Sequence, residues 1–462
     1  MGVVIPLETT DQLRFTGAAH FGSPPRSLRV VFDTGSSDTW ISSSSASAVD
    51  KAEVSQRTPF AIRYGGGVVS GTAAAIDLRL ANQFLLSNVH VGVVDDATSV
   101  LAELDAQGVV GLGLEALAQI HTNSNVLRLL AKQKHEMEPV VFSIYISSWS
   151  GAKPASWLII GSQDEALTSP NATWFSFPVV PDSVIRTSPS TQSAKKSFGF
   201  WALRVQSLVL DEIVLPLSRP NSRNGIALLD SGTSMLLLPP NIFDRFVQTL
   251  STRFGARFDA PLSGGQSLPV CRRCHVHEFP TFGFDFSREN SEAAATSQRF
   301  ELQGSDYVRC DWQDCTAMID VIQSTEVSDR IVLVLGSVFF RAFYMRFDYS
   351  NKQVSLACTL EDQGVCRGGL YPALDYHGQP YEPPREQTHW IWRGCHGPCA
   401  SRWVPPSAAA LRKSFAVLFI SLYQVILGTP SHLRIMENDD YLSISRLIYA
   451  CKPSGAKLNS KL

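Results

Sequence analysis

Short apolar runs separated by turn residues dominate the first 358 positions of the chain. Ser27–Phe32, Pro59–Tyr64, Ala75–Leu80, Val89–Val94 and Val140–Ile146 are rich in Val, Ile and Phe. Such residues suit a pleated, half-buried surface, so each run predicts a β-strand. Further strands are predicted at Thr173–Val180, Phe200–Leu215, Ile226–Leu229, Ile331–Leu335 and Phe343–Phe347. Two segments carry helical spacing instead. Leu and Ile recur on one face through Ala116–Lys134, and Asn241–Phe254 follows Pro239-Pro240 with Asn241 placed to cap it. Residues 150–170 and 180–198 are rich in Ser, Pro, Gly and Lys and read as connection and surface insertion.

The strand pattern is punctuated twice by the same short string. Phe32-Asp33-Thr34-Gly35-Ser36-Ser37 returns as Leu229-Asp230-Ser231-Gly232-Thr233-Ser234. A second echo follows in the same order, Gly108-Val109-Val110-Gly111-Leu112-Gly113 answered by Val332-Leu333-Val334-Leu335-Gly336-Ser337. A glycine ending the later run would let that strand pass close to the acidic turn. One Asp-hydroxyl-Gly string alone is an ordinary turn; the ordered repetition points to two related lobes that each contribute one carboxylate. Paired carboxylates cannot both ionise cheaply, so they share a proton and can activate water.

Composition narrows the classes. At 462 residues, with 44% apolar and 18% charged positions, the chain is globular and long enough for two domains plus extra sequence. Net charge is −2 with both signs interspersed, which gives nucleic acid no basic surface. None of the nine cysteines precedes Cys271, and their clustering in the second half suits an oxidising compartment. Met1–Pro6 has neither a basic start nor a long apolar core, so it is not a secretory leader, and a processed or truncated form is expected. Asn171-Ala172-Thr173 is a glycosylation triplet.

Phe21-Gly22-Ser23-Pro24-Pro25, the stretch Phe32–Trp40, Tyr64-Gly65-Gly66-Gly67, Leu229–Ser234 and Val334-Leu335-Gly336 together resemble a pepsin-like aspartic protease, over about residues 3–358. The resemblance implies an all-β, bilobal fold of two duplicated lobes, residues 1–172 and 173–358, with a cleft between them and residues 359–462 as a C-terminal extension. It implies an aspartic endopeptidase acting on extended polypeptides, with Asp33 and Asp230 catalytic. Thr34 and Ser231 resemble a crossed hydroxyl pair locking the two turns. Gly35 and Gly232 would offer N–H groups, while Ser36 and Thr233 would bond the outer carboxylate oxygens. Tyr64, Gly65 and Gly66 resemble the hairpin flap, with the Tyr64 phenol reaching Trp40. No metal and no cofactor is implied. The expected setting is an acidic vesicle, a vacuole or the extracellular space, reached by the secretory pathway, and a monomer is expected.

The chain also departs from the family's pattern. Gly66 stands where relatives often carry Thr or Ser, Ala106-Gln107-Gly108 where they often carry Phe-Asp-Gly, and Ser337 where Asp is common. No cysteine lies between Trp40 and Tyr64, so the usual first-lobe disulfide is absent. Cys271, Cys274, Cys310 and Cys315 permit either disulfides or, with His275 or His277, a zinc knuckle; disulfides are favoured, with connectivity open. Cys395-His396-Gly397-Pro398-Cys399 is a weaker string of the same kind. A catalytically silent peptide-binding protein on the same fold is the alternative function. In the tail, Phe415–Leu427 is apolar but as a helix would reach only about 20 Å against a hydrocarbon core of roughly 30 Å, so a tail helix or poorly specified sequence is expected, and a membrane anchor only if Ala408–Leu411 joins the run across Arg412-Lys413.

Overall fold

A computed structural model describes residues 2–9, 13–46, 58–64, 67–81, 83–95, 104–133, 139–147, 155–169, 172–185, 197–217, 225–260, 268–289, 296–311, 314–322, 332–359, 365–366 and 371–372. The fold is all-β and bilobal. One seven-stranded sheet runs Thr16–Phe21, Arg26–Asp33, Gly108–Gly111, Trp40–Ser42, Phe84–Val94, Gly67–Leu80, Thr58–Tyr64. A ten-stranded sheet in the second half has Ile319–Val321, Leu236–Leu238, Val332–Leu335, Gly225–Leu229 and Ala202–Leu210 as its first five neighbours. A six-stranded sheet draws on both halves: Val3–Leu7, Ser156–Ile160, Val141–Tyr145, Phe343–Asp348, Gln353–Cys358, Phe175–Pro178.

The duplication read in the sequence reappears as identical local topology. Arg26–Asp33 pairs in parallel with Gly108–Gly111, which pairs antiparallel with Trp40–Ser42. Gly225–Leu229 likewise pairs in parallel with Val332–Leu335, which pairs antiparallel with Leu236–Leu238. Each acidic turn therefore leaves one strand, crosses the end of a second and enters a third. The glycines at those crossings are obligatory. A Cβ on Gly111 would meet the Ser37 carbonyl carbon at 2.5 Å, and one on Gly336 would meet the Thr233 carbonyl oxygen at 2.4 Å.

The second lobe is held by aromatic packing that its sequence spells out. In Phe282–Ser287 every second residue is Phe, so Phe282, Phe284 and Phe286 share one face. They are buried, and edge-to-face contacts join Phe286 to Phe300 and to Phe339. Burying each such side chain contributes about 2–3 kcal/mol. On the opposite face Asp285 is also buried. Arg299 meets it through two nitrogens at 2.7 and 2.9 Å and Ser207 Oγ donates at 2.5 Å, so the charge is paired rather than stranded.

Several expectations need correcting. Ala116–Lys134 is not one helix: a 3-10 turn at Glu115–Leu117 and an α-helix at Val126–Lys132 flank an irregular stretch, and Asn125 caps the helix by accepting from Arg128 N at 2.8 Å. The long helix spans Pro240–Phe254, so Asn241 lies inside it and Pro239, without a side-chain cap, precedes it. The single strand expected at Phe200–Leu215 is a hairpin of Ala202–Leu210 and Ile213–Pro216, turned at Asp211 with φ 54°. Residues 150–170 conceal a strand, Ser156–Ile160, which pairs with Val141–Tyr145 and with Val3–Leu7. Two short strands lie beyond Cys358, among the residues expected to form the C-terminal extension. Val365–Cys366 and Tyr371–Pro372 add to the edge of Thr296–Leu302, and a Cys358–Cys366 disulfide ties the first of them down. Gly65 and Gly66, Asn171, Cys395–Cys399 and Phe415–Leu427 lie outside the described residues. No helix among the described residues is long and apolar enough to cross a membrane.

Candidate active site

The two acidic turns meet across the lobes through a reciprocal set of hydrogen bonds. Ser231 N donates to Thr34 Oγ1 at 2.9 Å, and Thr34 N donates to Ser231 Oγ at 3.0 Å. Each hydroxyl then donates onward to the other lobe, Thr34 Oγ1 to Leu229 O at 2.8 Å and Ser231 Oγ to Phe32 O at 2.7 Å. Thr34 is wholly buried, so these bonds work in a low dielectric, where leaving any of them unmade is costly. They fix the two turns face to face. The glycines that follow permit the approach: a Cβ on Gly35 would lie 2.4 Å from Asp230 Cγ, and one on Gly232 would lie 2.5 Å from Asp33 Oδ1.

Each carboxylate is held by its own turn. Asp33 accepts from Gly35 N at 2.8 Å and from Ser36 Oγ at 2.5 Å. Asp230 accepts from Gly232 N at 2.9 Å, Thr233 N at 3.2 Å and Thr233 Oγ1 at 2.7 Å. The environments differ: Asp33 is 7% exposed, whereas Asp230 is half-buried. Burial foremost, then the neighbouring Asp230 carboxylate, pushes Asp33 from 3.8 to about 7, against the lowering pull of Ser36 and Gly35 N–H. A carboxyl group that keeps its proton through the acid range, beside a second one, is the requirement for a shared-proton pair.

Tyr64 closes the first-lobe side. Its hairpin, Thr58–Tyr64 with Gly67–Leu80, brings the phenol to Trp40, whose indole Nε1 donates to Tyr64 Oη at 2.7 Å. Trp40 is fully buried and its N–H has this acceptor. Burial first, and the Asp33 carboxylate second, raise the Tyr64 phenol above its ordinary range, so it stays protonated. Both rings belong to a satellite cluster with Val31, Ile62, Val69, Val94 and Val109, against which Ala106 also packs.

Asp38 was not singled out from the sequence. It is buried and accepts from Gln119 N at 2.7 Å, Ile120 N at 3.1 Å and Ser124 Oγ, anchoring the irregular stretch to the first acidic turn. Burial raises its carboxyl above the ordinary range against those three donors. The available signal was an asymmetry in the repeat, since the corresponding place in the second copy is Met235. Ser337 sits against the second turn, its N–H donating to Thr233 O at 2.8 Å. Cys271, Cys274, Cys310 and Cys315 form disulfides Cys271–Cys274 and Cys310–Cys315, on and beside the small sheet Phe258–Asp259, Val270–Arg272, Asp314–Ala317, Val308–Asp311.

A model of the family described as eukaryotic aspartyl protease matches residues 14–359. Among curated proteins, gastricsin of Cavia porcellus is 25% identical over 370 residues, covering 76% of this chain and 82% of its own length. Human gastricsin is 24% identical over 372 residues, covering 76% and 84%. Pepsin A of Suncus murinus is 25% identical over 372 residues, covering 76% and 82%.

Proposed function

The chain belongs to the eukaryotic aspartyl protease family, and from that premise we propose that it is an aspartic endopeptidase whose dyad is Asp33 and Asp230. The observation that carries the reading is the crossed Thr34–Ser231 bonding, which holds two carboxyl groups together with each glycine against the opposite acid. Asp33 keeps the proton and polarises the scissile carbonyl. Asp230, the more exposed member, takes a proton from a water held between the two groups, and the resulting hydroxide adds to the carbonyl carbon. Asp33's proton passes to the carbonyl oxygen. Collapse of the tetrahedral diol returns one hydroxyl proton to Asp33, while the proton that Asp230 took from the water passes to the departing amine. No covalent intermediate is formed.

Thr34, Gly35, Ser36, Ser231, Gly232 and Thr233 serve as supports that keep both carboxyl groups oriented, and Tyr64 on Trp40 as the flap residue. The substrate is an extended polypeptide with apolar residues at the cut, and the small Ala106, packed against the same cluster as Tyr64, gives a roomier first-lobe wall. We assign residues 1–172 and 173–358 to the two lobes and residues 359–462 to the extension, and place the enzyme, as a monomer, in an acidic compartment of the secretory route or outside the cell. A silent peptide-binding protein is the competing reading, favoured only by Gly66 in the flap. Cleavage of an unfolded protein from about pH 3 to 7, by wild type and Asp33→Asn, with and without pepstatin, separates the two. Acid activity lost in the variant and blocked by the inhibitor supports the dyad. Activity surviving in the variant refutes the assignment, and a folded but silent wild type favours the binding protein.

A further inference from the structure

The small sheet of the second lobe carries chemistry that the dyad does not use. Cys315 lies in register opposite Cys271 on one side and opposite Cys310 on the other. Directly opposed residues of antiparallel strands share a face, so three sulfurs stand in one row across three strands. Cys274 joins them through its bond to Cys271, and its carbonyl oxygen lies 3.0 Å from Cys315 Sγ. Access is uneven: Cys271 and Cys315 are fully buried and Cys274 nearly so, whereas Cys310 is exposed. At the Cys310 end of this row opens a cavity of about 560 Å³ lined by Arg273, Cys274, His275, Val276, His277, Cys310 and Asp311. The two imidazoles lie parallel with centroids 5.4 Å apart. Neighbouring Arg272 and Arg257 are taken up by Asp259 and Glu278, while Arg273 makes no ion pair with a described residue. Asp311 is the single acid of the lining.

We propose that this cavity receives a small anionic thiol, which exchanges with the Cys310–Cys315 disulfide at Cys310. Arg273 and the two imidazoles would hold the carboxylates of the thiol while its sulfur reaches the one exposed member of the cluster. The thiolate attacks Cys310 Sγ: a bond forms between the two sulfurs, the Cys310–Cys315 bond breaks, and Cys315 leaves as a thiolate. Cys315, opposite Cys271, then attacks Cys271 Sγ and displaces Cys274 as a thiolate. Cys274 attacks Cys310 Sγ and expels the original thiol. Two electrons move at each exchange and none is consumed, so the thiol acts as a catalyst. The products, Cys271–Cys315 and Cys274–Cys310, replace two short local loops by two that enclose the Phe282–Leu302 hairpin. Longer loops restrict the unfolded chain more, so the rearranged form is the one more resistant to unfolding.

The test uses the full chain, acid-quenched and mapped by peptide mass spectrometry after exposure to glutathione (anionic), 2-mercaptoethanol (neutral) or cysteamine (cationic). Each rate is normalised to that thiol's rate with a small-molecule disulfide. The expected result is an adduct at Cys310, conversion to the long-range pairs, and a normalised rate for glutathione at least roughly tenfold above that for cysteamine. Arg273→Ala with His275→Ala and His277→Ala should erase that ordering while the neutral thiol reacts as before. Equal normalised rates for the three thiols, no adduct, or an adduct at another cysteine overturns the docking site. A Cys310 adduct that persists beside an intact Cys271–Cys274 bond overturns the relay.

Discussion

Ser36→Ala provides a perturbation whose sign the site fixes in advance. Ser36 Oγ donates to Asp33 Oδ2 at 2.5 Å, and that bond favours the ionised form of a carboxyl already pushed to about 7 by burial and by Asp230. A hydrogen bond to a charged group contributes about 1.5–3 kcal/mol, and each pH unit is worth about 1.4 kcal/mol, so its loss should raise the Asp33 titration by about 1–2 pH units. If Asp33 must be protonated for turnover, kcat/KM of the wild type falls on the alkaline side with a midpoint near 7. In Ser36→Ala that limb should move to higher pH, even though kcat on the acid plateau drops because the carboxyl is less firmly oriented. The assay is hydrolysis of a quenched fluorescent peptide from pH 4 to 9, with samples returned to pH 5 after each alkaline exposure to separate titration from unfolding. An alkaline limb that stays in place or moves to lower pH, in enzyme that recovers fully at pH 5, would refute the claim that Ser36 steadies the ionised form of the acid.

Stability should follow the same proton. Asp33 is raised in the folded state, so its contribution is most favourable below about 4 and is lost as pH climbs through about 7. Asp33→Asn lacks that loss, and the melting temperature of wild type should fall relative to the variant between pH 5 and 8; parallel profiles would contradict the shift. Tyr64→Phe leaves the buried Trp40 N–H without its acceptor, a cost of about 1–3 kcal/mol. Measured by urea unfolding, Trp40→Phe combined with Tyr64→Phe should be less destabilising than the two single effects added together. Thr34→Val keeps the shape but strands Ser231 N–H and Leu229 C=O, for about 2–4 kcal/mol, whereas Thr34→Ser should be near neutral; similar losses in both would show that packing, not the crossed bonds, is what matters.

Much of this was legible from the order of residues alone. Strand periodicity, the repeated Asp-hydroxyl-Gly turn and the repeated glycine downstream are local or self-referential signals, and a linear chain displays them in full. They were sufficient for an all-β bilobal fold, for the resemblance to pepsin-like proteases and for naming Asp33, Asp230, Thr34, Ser231 and Tyr64 as the residues to examine. What escaped were features whose cause lies far away in the chain. Val3–Leu7 and Ser156–Ile160 are strands because they pair with each other, and the helix expected from Ala116 is broken where Asp38 draws in Gln119, Ile120 and Ser124. Val365–Cys366 becomes a strand only because Phe300–Glu301 offers an open edge. The difference between the two acids was equally invisible, since both sit in nearly the same string. Tertiary packing buries Asp33 and leaves Asp230 half-exposed, and desolvation, which no repeat can encode, is what gives the first its proton.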